Sequence, residues 1–85
     1  MNWFGSAQES IAARAEAHLS VDIKKGADYG ALAVIIEQFG GRIVHSTAAN
    51  NIEKIFISVM DKTEIQALID ALMDAGLIEA AAILL

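Results

Sequence analysis

The stretch from Asp61 to Leu85, DKTEIQALIDALMDAGLIEAAAILL, constrains the fold more than any other part of the chain. It marks both ends of a helix and then runs into an apolar segment. Asp61 is placed to cap the helix, and Glu64, three residues later, to reach back to the cap amide in a capping box. Ile65, Leu68, Ile69, Leu72 and Met73 recur at i, i+3, i+4, i+7 and i+8 and share one face, with Gln66, Asp70 and Asp74 opposite. Gly76 suits the left-handed residue that ends a helix, and Leu77 can fold back on the last turn. From Ile78 to Leu85 the one charge is Glu79. A short apolar run after a helix stop reads as a buried strand, although its alanines leave a short second helix open. The chain upstream must supply what this helix and this run pack against.

The chain upstream supplies candidates in order. Ser6 and Glu9 form a second capping-box pattern, which predicts a helix from about Ser6 to Glu16 with Ile11, Ala12, Ala15 and Leu19 on one face. From Ala13 to Lys24 apolar and polar residues alternate strictly, the period of a half-buried strand. Alanine and glutamate favour helix early and Val21 and Ile23 favour strand late, so the strand is placed from about Ala17 to Lys24. Lys25-Gly26-Ala27 is a break. Asp28 can cap the next helix, which puts Leu32, Ile35, Ile36 and Phe39 on one face before Gly40-Gly41 ends it. Arg42 to Ala48 is short and rich in β-formers, Ala49-Asn50-Asn51 is turn chemistry, and Ile52 to Met60 is a strand. On that last strand Ile55, Ile57 and Val59 share one face, and Lys54, Phe56, Ser58 and Met60 the other.

Composition narrows the function classes. Eighty-five residues make one domain, and 55% of them are hydrophobic, a surplus that points to a subunit contact. No segment reaches the ~18 continuous apolar residues of a membrane span, and the N-terminus lacks a signal-peptide pattern, so the chain is expected to be cytoplasmic and free of membrane. The absence of cysteine excludes disulfides, thiol catalysis and zinc–cysteine sites. With a net charge of −5 and basic residues scattered singly apart from Lys24-Lys25, a nucleic-acid partner is not expected.

After the N-terminal helix the predicted order is strand, helix, strand, strand, helix, strand. That is the split βαβ pattern of an α+β, ferredoxin-like domain: a four-stranded antiparallel sheet with both helices on one face. The reading divides the chain into an N-terminal helical extension, residues 1–16, and a ferredoxin-like domain, residues 17–85. The strands near Leu19 and Ile57 are expected in the centre. The second sheet face should carry His18, Ser20 and Asp22 beside Phe56 and Met60.

The segment GADYGALAVIIEQFGGRIVHS resembles the first helical unit of ACT domains, small-molecule-sensing βαββαβ modules. Gly30-Ala31-Leu32-Ala33 and Gly41 match that family's helix start and the glycine before its second strand. Tyr29 stands where the family has proline, and Ala27 where it has an acidic residue. The resemblance implies a small-molecule site, with Gly26, Asp28, Tyr29, Gly30 and His45 as candidate ligand-binding residues. The same layout is similar to the signal-peptide-binding chaperones of periplasmic nitrate reductase, which implies a basic peptide on the sheet as the alternative.

Catalytic chemistry is not expected. His18 and His45 are the only histidines and fall on strands separated by the Ile57 strand, so no metal site is assigned. Ser46 neighbours His45, but adjacent strand residues point to opposite faces and do not make a nucleophile–base pair. GADYGA is neither GxGxxG nor a P-loop. Glu64, Asp70 and Asp74 read as a solvated helix face that a basic partner can use. The reading is therefore a non-enzymatic, cofactor-free regulatory or binding module that acts as a homodimer, with a peptide- or protein-binding adaptor as the alternative. Trp3, Phe4, Ile11, Phe56 and Met60 have no place in the βαββαβ core and are assigned to the subunit interface.

Overall fold

The computed structural model describes residues 16–84. They run in the order β1 (Ala17–Ile23), α1 (Tyr29–Gln38), β2 (Gly41–Ala49), β3 (Ile52–Val59), a 3₁₀ turn (Lys62–Glu64), α2 (Ile65–Asp74) and β4 (Ile78–Leu84). The helix expected from Ser6 lies outside the described residues up to position 15, and Glu16, its expected last residue, is not helical.

The four strands form one antiparallel sheet in the order β2-β3-β1-β4. The alternation read in the sequence sets its two faces. Leu19 pairs with Ile57, Val21 with Ile55 and Ala17 with Val59, so these side chains rise from one face. Leu32 and Ile36 of α1 and Ile65, Leu68 and Leu72 of α2 join them in one core. Burying each such side chain contributes roughly 1.5–3 kcal/mol.

Local chemistry sets the element ends. Asp28 caps α1, its Oδ1 accepting from Gly30 N at 2.8 Å and Ala31 N at 3.3 Å. Asn50 and Asn51 turn the β2–β3 hairpin with φ of 55° and 66°, the left-handed conformation that asparagine tolerates. At the end of α2, Gly76 adopts φ 71°, its N–H reaches Met73 O at 3.0 Å, and Leu77 N reaches Leu72 O at 3.1 Å. This is a Schellman closure, and it buries Leu77.

Four expectations are corrected. The Asp61 helix does not start at Asp61: that residue caps a 3₁₀ turn by accepting from Thr63 N and Thr63 Oγ1, and α2 begins at Ile65 after Glu64, which makes no side-chain cap bond. Asp61 thus satisfies the amide two residues on, and the chain enters α2 through this tighter turn. Met73, expected on the apolar face, is 48% exposed because Leu68 and Leu72 already point at the sheet and i+8 has rotated past it. The run from Ile78 is the expected strand and pairs with β1, but only Ile78 is buried and Ala81 half-buried. As the outermost strand, β4 has covered neighbours on one side alone. Ser58, expected on an open face, is buried and donates its hydroxyl to the Glu16 carboxylate.

Candidate functional site

Two loops meet at one end of the sheet. The β1–α1 loop brings Lys24, Lys25, Gly26, Ala27 and Tyr29, and the hairpin brings Asn51 and Glu53, which pairs with Ile23. Together they line a recess of about 240 Å³. The loop is held by two backbone bonds, Lys24 N to Leu77 O at 3.0 Å and Ala27 N to Lys24 O at 3.0 Å, with Gly26 at φ 83°. That positive φ is the reason for glycine at the turn.

The recess has a defined chemistry. Lys24 and Lys25 are among its lining residues, two basic residues in a chain of net charge −5, and the ion pair of Lys54 Nζ with Asp22 Oδ1 at 3.8 Å lies elsewhere. Glu53 supplies a carboxylate, Asn51 an amide, and Tyr29, 46% exposed, an aromatic wall with a hydroxyl. The amides at the start of α1 are already bonded to Asp28, so they are not free donors for a phosphate.

The candidate ligand residues therefore separate. Gly26 and Tyr29 line the recess. Asp28 and Gly30 are engaged in the helix cap beside it. His45 is elsewhere: it pairs with Phe56, with ring centroids 5.7 Å apart and planes tilted by 40°. A register shift between Ile43 and His45 brings this about, because the extra residue Val44 returns His45 to the face away from the helices. Lys24, Lys25, Asn51 and Glu53 were missed as site residues. The Lys24-Lys25 pair next to Gly26 was the one available signal.

The face away from the helices carries cross-strand rows. His18 stands between Leu84 and Ser58, Ser20 between Ala82 and Phe56, and Asp22 between Ala80 and Lys54. Small residues leave a shallow hollow of about 80 Å³ over Ser20, Asp22, Lys54 and Ala80–Ala82. Met60 follows β3 and is 74% exposed, while Trp3, Phe4 and Ile11 lie outside the described residues. On α2, Gln66 Nε2 donates to Asp70 Oδ1 at 3.0 Å, and Asp74 is exposed, as is Glu64 of the preceding 3₁₀ turn. Among the described residues no three His, Asp or Glu side chains group as metal ligands, and no helix is long and apolar enough to cross a membrane.

Comparison with protein-family models, curated proteins and solved structures gave no match.

Proposed function

We propose that this chain is a non-enzymatic, cytoplasmic regulatory module of ferredoxin-like, ACT-like type, which binds a small carboxylate-bearing molecule and self-associates as a homodimer. The observation that carries the reading is the recess, where Gly26 and Tyr29 meet Lys24, Lys25, Asn51 and Glu53. Either ammonium can hold a ligand carboxylate, Glu53 can accept from a ligand amine, and the Tyr29 ring gives an apolar wall. Self-association is supported by the exposed apolar residues of the outer strands, Ile43, Val44, Ile83 and Leu84.

A thermal-shift screen with amino acids, other small carboxylates, nucleotides and divalent metals tests this. A ligand at a hundred times its Kd stabilises the native state by about 2.7 kcal/mol, which raises Tm by several degrees in a domain of this size. A carboxylate is expected to do so, and Lys24→Ala or Lys25→Ala to diminish the shift. The reading fails if no carboxylate shifts Tm, or if both substitutions leave the shift intact.

The second reading is an adaptor that binds a basic peptide or protein along the sheet or on the exposed acidic face formed by Glu64 before α2 and Asp70 and Asp74 on it. The hollow over Ser20, Asp22 and Ala80–Ala82 favours it. Capture of a lysine- or arginine-rich peptide, lost when Asp22 is replaced by Asn, would support this alternative.

A further inference from the structure

The two outer strands of the sheet are built differently. β2 carries a register shift at Ile43/His45, with Arg42 and His45 along it, features that deter pairing with another strand. β4 has its irregularity at its start, where Glu79 falls between the pairs Ile23–Ile78 and Asp22–Ala80. From Ala80 to Leu84 it is regular and uncharged, paired on one side with β1 and bordered by no strand on the other among the described residues. Natural sheets protect such edges with charge, proline or a bulge, and this segment has none of the three. Its two largest side chains are exposed on opposite faces, Ile83 at 48% on the helix side and Leu84 at 40% on the other.

We propose that β4 is the self-association surface: Ala80–Leu84 pairs antiparallel with the same segment of a second copy about a two-fold axis at Ala82, joining two sheets into one of eight strands. This rests on the self-association reading and names its surface. A two-fold axis normal to the sheet keeps each residue on its own face, so residues of like parity must face each other. Centring on Ala82 sets Ala80 against Leu84 and Ala81 against Ile83 of the second copy. Each large side chain then meets a small one, twice by symmetry, and the axis brings only alanines together. Glu79 then falls opposite position 85 at the end of the ladder, so no like charges meet. Centring on Ala81 instead would set Glu79 against Ile83. A second copy therefore fits this edge by side-chain size and by charge, in addition to the hydrogen-bonding groups any strand would satisfy.

Charge exchange at Ala82 tests the pairing. Gel filtration with light scattering is expected to give a dimer for the parent chain. Ala82→Lys and Ala82→Glu alone each set like charges across the axis and should weaken the dimer about fivefold. An equimolar mixture of the two should dimerise again. Because the chain has no cysteine, Ala82→Cys should also form a disulfide-linked dimer under mild oxidation, while Val34→Cys, exposed on α1, should not. These cysteine variants decide the matter if the charged ones do not fold. A dimeric parent whose Ala82→Lys and Ala82→Glu forms stay dimeric, with no Ala82→Cys cross-link, would overturn the β4 pairing and leave self-association standing. A parent that is monomeric at high concentration would overturn both.

Discussion

Gly41 is packed against Ile36: a β-carbon at Gly41 would lie 3.1 Å from Ile36 Cγ2 and 3.2 Å from Ile57 Cγ2. Both isoleucines are core members, and Ile36 O lies 3.3 Å from the same point, so the neighbours cannot retreat without moving α1 or β3. Gly41→Ala is therefore expected to destabilise the domain by about 1–3 kcal/mol in urea unfolding. At Gly30 the nearest atom to an added β-carbon is Asp28 Oδ1 at 3.2 Å, and a shift there strains the cap bonds at the start of α1 but no core contact. Gly30→Ala should cost less than Gly41→Ala. The reverse order would mean that the loop, and not the α1–sheet contact, is the tight point.

The Glu16–Ser58 contact gives a second prediction. Ser58 is 3% exposed, and its hydroxyl is satisfied by Glu16. Glu16→Ala leaves that hydroxyl buried without its partner and should cost about 1–3 kcal/mol. In the Glu16→Ala/Ser58→Ala double variant the need for a partner disappears, so the two losses should be clearly less than additive. Additive losses in chemical denaturation would show that the two groups do not depend on each other.

α2 offers a third. Leu68 is fully buried and Met73 is 48% exposed, although both sit at apolar-stripe positions. Leu68→Ala is expected to cost about 2–5 kcal/mol, and Met73→Ala to stay within about 0.5 kcal/mol. Comparable Tm losses for the two would mean that Met73 is covered, for example by a second subunit.

How much of this was legible in the sequence follows from the range of each cause. Asp28, the Asn50-Asn51 turn and the Gly76-Leu77 closure act within a few residues, and each was readable from its own neighbourhood. The alternation at Leu19–Ile23 and Ile55–Val59 fixed the core faces for the same reason. Exposure of Ala80, Ala82, Ile83 and Leu84 was not legible, since an apolar run looks the same in the middle of a sheet as at its edge. The face that His45 takes, beside Phe56, was not legible, because the register shift at Val44 leaves no mark in β-propensity. The recess was half visible: Gly26 and Tyr29 are local to one loop, while Asn51 and Glu53 arrive only when the hairpin pairs with β1.

A fourth prediction concerns the loop itself. Gly26 has φ 83° and open space around its missing side chain, so the cost of replacing it is conformational and not steric. Gly26→Ala should lose about 1 kcal/mol of stability. It should also weaken whatever ligand the recess binds, since Lys25 and Ala27 flank the turn. Unchanged stability in urea unfolding would show that the loop adopts another conformation.

The recess between the β1–α1 loop and the hairpin is the proposed ligand site. Its most direct test is a ¹⁵N–¹H correlation spectrum recorded while the carboxylate selected by thermal shift is titrated into the labelled protein. Saturable shifts are expected at the amides of Lys24, Lys25, Gly26, Ala27, Tyr29, Asn51 and Glu53, with His45 and Phe56 unmoved. Shifts confined to the His45–Phe56 face, or none at the loop amides, would contradict the assignment.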